Sequence, residues 1–214
     1  MQKTERRPLS KGEEIANSLS HGLGLFAALL GTPILITTAI QHGSGLKLVG
    51  VCVFIASVML LYLASTLYHA CWHADLKMRL RKVDHSAIFV LIAGTYTPFT
   101  LGPLRGPWGW GILILVWAIA IFGVLLTVFS KVRRVRLSIA LYLGMGWLIV
   151  AAIRPLMQHL PVAGLKWLVA GGLAYTVGVI FYSANGYRYT HSLWHLFVLA
   201  GTGCHYFAVL WYAV

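Results

Sequence analysis

The sequence predicts an all-α membrane protein: a single domain over residues 1–214 that crosses the bilayer seven times, with its N-terminus in the cytoplasm. Three observations predict it. Hydrophobic residues fill 59% of the 214 positions and charged residues 10%, with a mean hydropathy of +0.79, a balance that makes water a poor solvent for the chain. Seven apolar stretches approach the ~20 residues a helix needs to cross the hydrocarbon core while pairing all its backbone polar groups internally. The cations also gather in alternate connections between those stretches.

The stretches run over 18–40, 46–69, 84–103, 109–129, 136–153, 163–183 and 190–213. A short basic segment, residues 1–12, precedes the first. Basic residues ahead of an apolar run also occur in secretory signals. Here the run after Ile15 is too long, lacks a convincing cleavage site and precedes six similar runs, so a retained first span is expected. Gly43-Ser44-Gly45, Gly102-Pro103, Gly106-Pro107 and Pro161 mark boundaries, and Trp108 and Trp110 suit a belt at headgroup depth. In the sixth span Ala170, Ala174 and Gly178 place small residues every fourth position, a spacing that permits close helix packing there.

The seventeen Lys and Arg set the orientation. Lys3, Arg6, Arg7 and Lys11 precede span one; Lys77, Arg79, Arg81 and Lys82 follow span two; Lys131, Arg133, Arg134 and Arg136 follow span four; Arg188 follows span six. Only Lys47, Arg105, Arg154 and Lys166 fall on the opposite side. By the positive-inside rule the N-terminus is cytoplasmic and, with seven spans, the C-terminus is outside. This distribution accounts for the formal net charge of +12 without a nucleic-acid partner, because the cations form no continuous stripe. Cys52, Cys71 and Cys204 form no CxxC pair and read as free thiols, neither a disulfide framework nor a zinc knuckle.

Five acidic residues and nine histidines stand out against this background. Ionisable groups at membrane depth are costly and gather where they line a functional cavity. Ser10-Lys11-Gly12-Glu13 fits a capping box at the start of the first helix. Glu14, Asn17 and His21, spaced three and then four apart, share one face of that helix, either as a solvated polar edge or as part of a site. Ser65 and His69 lie one turn apart at the end of span two, where a serine can orient an imidazole; His73 reads as a histidine reaching the headgroups. Asp84 opens span three after the basic run, where the helix dipole or the nearby cations could account for it, and His85 points to another face. His191 and His195 begin span seven four residues apart, the spacing that lets two imidazoles bind one metal from one helix face. That pattern alone is weak, since His69 and His73 repeat it. Topology strengthens it: His69 ends an inward-running span while Asp84, His191 and His195 begin outward-running ones, so all four meet one membrane face. Three neutral imidazoles with an open fourth position suit a catalytic zinc site. His205 lies ~15 Å further along the last helix, too far for the same ligand set, and reads as a buried, hydrogen-bonded histidine.

Together Glu14-x2-Asn17-x3-His21, Ser65-x3-His69, Asp84 and His191-x3-His195 resemble the hemolysin III group of the progestin and adipoQ receptor family, the seven-span proteins that include the adiponectin receptors. Ala64-Ser65-Thr66-Leu67-Tyr68-His69-Ala70 and Ala93-Gly94-Thr95-Tyr96-Thr97-Pro98-Phe99 are similar to the bacterial branch. The resemblance covers nearly the whole chain. It implies a Zn2+ ion held by His69, His191 and His195, Asp84 beside the water in the open position, Ser65 behind the ligands, and Glu14, Asn17 and His21 as a cytoplasmic-end network or cavity wall. The long soluble N-terminal region of the animal receptors is absent, so hormone binding is not carried over.

The expectation that follows is a zinc-dependent hydrolase of lipid amides or esters, ceramidase-like, at the cytoplasmic leaflet of a bacterial inner membrane. Its partners would be membrane lipids and a lipid-like substrate. A non-enzymatic sensor of membrane state with a structural zinc is the alternative. A pore-forming hemolysin is disfavoured, because so apolar a chain needs insertion during synthesis. A channel is disfavoured by the lack of an inverted repeat.

Overall fold

The computed structural model describes residues 7–42, 44–130, 134–184 and 186–214. The cations Lys3, Arg6, Lys131 and Arg133 lie outside them. The described residues form helices and no strand: α1 (Lys11–His42), α2 (Gly45–Ala70), α3 (Ala74–Leu101), α4 (Pro107–Phe129), α5 (Val135–Trp147), a 3-10 segment (Leu148–Ala152), α6 (Ile153–His159), α7 (Val162–Ser183) and α8 (Thr190–Tyr212). Six elements are long and apolar enough to cross a membrane: α1, α2, α4, the composite Val135–His159, α7 and α8. Their outer faces expose Leu23, Phe26, Ile114, Phe129 and Ile180, as expected of helices solvated by lipid.

The third predicted span, α3, is not among those six. Its N-terminal turns carry Lys77, Arg79, Arg81 and Lys82, while every residue from Ala93 to Leu101 is buried. The helix occupies the middle of the bundle between α2 and α4. A helix surrounded by protein has no need of a lipid-facing surface. Gly50 lets α2 approach α3 so closely that a Cβ there would sit 2.8 Å from the Pro98 backbone.

The fifth predicted span, 136–153, extends to His159 and is broken in the middle by the 3-10 segment. The Tyr96 hydroxyl of α3 fills the break: it accepts the Ile149 N–H at 3.0 Å and lies 2.7 Å from the Met145 carbonyl oxygen. Irregular backbone at membrane depth needs such partners. Pro155 follows in the first turn of α6, where its missing N–H leaves no bond unmade.

The small-residue seam between α7 and α8 is not the predicted Ala170, Ala174, Gly178 row; Ala170 is exposed. It consists of Gly164, Gly171 and Gly178, each two turns apart and each buried. Added Cβ atoms there would run into the rings of Tyr212, His205 and Trp194. Large side chains of α8 thus fill the hollows left on α7. α1 packs on both α2 and α8, which brings the first turns of α1 and α8 beside the last turn of α2.

Candidate metal centre

The entry of α1 is fixed by the capping box read from the sequence. Ser10 N donates to Glu13 Oε2 at 2.9 Å and Glu13 N donates to Ser10 Oγ at 3.4 Å. The same carboxylate pairs with Arg7 and accepts the Tyr189 N–H at 3.0 Å, tying α1 to the turn before α8. With that register set, Glu14, Asn17 and His21 face inward and are all buried.

His69, in the last turn of α2, meets His191 and His195 of α8. One ring nitrogen from each lies within 4.8 Å of the other two, and the His69 ring centroid is 5.2 Å from that of His191 and 5.1 Å from that of His195. Tetrahedral zinc with bonds of ~2.1 Å needs nitrogens ~3.4 Å apart, so the rings must close by no more than about 1.4 Å.

The donor set fits such an ion. His69 Nδ1 lies 2.7 Å from Glu14 Oε2, so Nδ1 carries the proton and the lone pair is on Nε2, which is buried with no hydrogen-bond partner. His195 Nδ1 faces the Asn17 carbonyl oxygen at 3.1 Å. A carbonyl can only accept, so this ring too leaves Nε2 free. Ser20 Oγ, 3.0 Å from the same Nδ1, donates to the Asn17 carbonyl at 2.8 Å. Ligating imidazoles typically place their second nitrogen against a carboxylate or carbonyl in this way.

The Glu14-Asn17-His21 face therefore lies directly behind the histidines. Glu14 also binds Lys77 Nζ through Oε1 at 3.0 Å, which balances its charge. Asn17 Oδ1 accepts from Ser192 Oγ at 2.6 Å, and His21 stacks on His195 with centroids 3.6 Å apart and planes at 6°. Ser65 is buried near His69, yet its Oγ has no hydrogen-bond partner; the group on His69 Nδ1 is Glu14. Sequence spacing could relate Ser65 to His69 on one helix but had no means of bringing Glu14 across from another. The contacts of Ser20 with His195 and of Ser192 with Asn17 likewise arise only through the packing of α1 on α8.

Asp84 stands outside the three-histidine group. It is buried, its Oδ2 is 3.2 Å from His85 Nδ1, and it shares the wall of an internal chamber with His191 and His195. His85, expected on a separate interfacial face, borders the same chamber. His73 is exposed just before α3. His205 is buried with Nε2 3.3 Å from the Leu168 carbonyl.

Two cavities adjoin at this cluster. A vestibule of about 340 Å³ is lined by Arg7, Glu14, His69, Arg81 and His191, together with Phe181 and Tyr182 at the end of α7 and Tyr187 of the α7–α8 connection. A chamber of about 160 Å³ runs inside the bundle between Asp84 and His205, walled mainly by Leu, Ile, Val and aromatic side chains. His85, Tyr182 and His191 border both. Val150 and Val169, on the chamber wall, are also exposed on the outer face of the bundle.

Residues 9–206 match the family model described as haemolysin-III related. The chain is 45% identical over 202 residues to the hemolysin-3 homolog of Bacillus subtilis (strain 168), covering 94% of this chain and 95% of that protein. It is 44% identical to hemolysin-3 of Bacillus cereus, covering 94% and 92%. A more distant relative is the human monocyte to macrophage differentiation factor, 27% identical over 219 residues, covering 92% and 83%. With six apolar helices of spanning length and these relatives, the chain is an integral membrane protein of the haemolysin-III-related family.

Proposed function

We propose that this protein is a zinc-dependent hydrolase of lipid amides or esters, acting at the cytoplasmic leaflet of a bacterial inner membrane. The observation that carries the reading is the position of His69, His191 and His195 where a vestibule bearing charged and aromatic side chains adjoins an apolar chamber, with Asp84 on the chamber wall. In this reading α3 is the seventh crossing, and the N-terminus is cytoplasmic.

An amphiphile fits the two cavities: its acyl chain along the chamber and its head in the vestibule. When bound, zinc supplies Lewis acidity that polarises a carbonyl and acidifies water. His69, His191 and His195 would hold it through ring nitrogens, leaving one position open. Asp84 accepts a proton from the attacking water, whose oxygen bonds to the acyl carbon. Asp84 then returns that proton to the departing nitrogen or oxygen as the carbonyl–heteroatom bond breaks. The products are a fatty acid and an amine or alcohol. Apolar walls keep bulk water away from the chain.

The test is hydrolysis of defined lipid amides and esters by purified protein with and without zinc. Zinc-dependent release of fatty acid, lost in Asp84→Ala, supports the proposal. Absence of cleavage, or equal cleavage by Asp84→Ala, ends it. The connection of α2 to α8 by His69 favours one second reading, a zinc that staples the bundle in a non-enzymatic sensor. In that case His69→Ala lowers thermal stability strongly and no lipid is cleaved.

A further inference from the structure

The vestibule carries a positive charge that the metal centre does not use. Glu13 is matched to Arg7 and Glu14 to Lys77. Arg81, on the vestibule wall, has no acidic partner among the described residues. It lies one turn before His85 on α3 and so on the same helix face. Arg7, which also lines the vestibule, keeps a buried Nε–H without a hydrogen-bond partner although its terminal nitrogen pairs with Glu13. Guanidinium groups recognise phosphate oxygens through paired N–H donors, and a charge in a concave, partly apolar site acts with little screening.

From this arrangement we infer that the vestibule is a phosphate-binding headgroup site, in which Arg81 selects lipids bearing a phosphate over neutral ones. The inference rests on the acyl-lipid reading above and names its substrate class: an acyl lipid whose head carries a phosphate about one helical turn from the histidines. Arg81 takes the phosphate oxygens, and the Arg7 Nε–H supplies a further donor. The vestibule of about 340 Å³ has room for such a head. The acyl chain enters the adjoining chamber past His85 and Tyr182.

The experiment is equilibrium binding to the purified full chain in maltoside micelles, with cleavage followed in the same samples by mass spectrometry. The probes are dihexanoyl phosphatidic acid, dihexanoylglycerol and inorganic phosphate. The phosphatidic acid should bind wild type roughly tenfold or more tightly than the neutral lipid, the effect of one charge-assisted contact. Arg81→Gln should reduce that preference to within about twofold, and Arg81→Lys should restore part of it. Arg79→Gln, at an exposed position outside the vestibule lining, should leave it intact. Equal binding of the two lipids overturns the inference. So does a preference that survives Arg81→Gln, an equal loss in Arg79→Gln, or inorganic phosphate binding as tightly as the phosphatidic acid. Binding without cleavage retains the headgroup site and counts against the hydrolase, so the two failures are separable.

Discussion

Glu14 and His69 meet across the α1–α2 contact with the carboxylate Oε2 2.7 Å from the imidazole Nδ1, both side chains buried. This pair fixes which nitrogen of His69 carries the proton and leaves Nε2, buried and without a hydrogen-bond partner, as the nitrogen available to a metal. Lys77 at 3.0 Å pairs with the other oxygen of the same carboxylate.

Removing that charge should weaken the metal site without removing a ligand. Glu14→Gln is expected to lower zinc affinity by about 10- to 100-fold, measured by competition with a chelator, while His69→Ala lowers it further. Ser65→Ala should leave affinity unchanged, because the Ser65 hydroxyl makes no bond to His69. The reverse order, with Ser65→Ala costly and Glu14→Gln silent, contradicts this assignment.

Much of this site was legible in the sequence, and the limit was tertiary. Helical periodicity put Glu14, Asn17 and His21 on one face and His191 with His195 on another. Charge asymmetry brought their ends to one side. Nothing in the spacing told which acid meets which histidine, so Ser65 stood where Glu14 belongs. The break near Gly146 is not legible in the sequence for a related reason: the group that satisfies it, Tyr96, lies 50 residues away on another helix. Of the small residues at every fourth position on α7 only Gly178 joins the seam, since burial selects the seven-residue spacing of Gly164, Gly171 and Gly178.

Asp84 separates metal binding from proton transfer. Asp84→Asn keeps the shape of the chamber wall but loses the basic carboxylate. It should retain zinc at wild-type stoichiometry and lose roughly 10²- to 10⁴-fold in kcat for lipid hydrolysis. Loss of zinc in this variant would make Asp84 a ligand and remove it from the role of proton carrier.

The α7–α8 seam makes a prediction about stability alone. In Gly178→Leu the new side chain meets the Trp194 and Phe197 positions within 2.9 Å, and overpacking of this kind costs about 1–3 kcal/mol. Thermal unfolding in detergent should fall by several degrees. An unchanged midpoint would show that α7 and α8 are not packed face to face at this position.

Tyr96→Phe removes the hydroxyl that joins α3 to the interruption in the fifth span. Losing the hydroxyl deprives the Ile149 N–H of its acceptor, while the Met145 carbonyl keeps the Leu148 N–H, a loss of about 1–3 kcal/mol. Hydrogen exchange at Ile149 should accelerate relative to the rest of α5. Unaltered exchange would mean that the broken backbone is satisfied without Tyr96.

The most direct test of the metal centre is elemental analysis of the purified protein beside His191→Ala/His195→Ala, with folding of both checked by size-exclusion chromatography. The arrangement of His69, His191 and His195 predicts about one zinc per wild-type chain and essentially none in the double variant. Wild-type protein that takes up no zinc on titration, or a folded double variant that keeps it, contradicts the account.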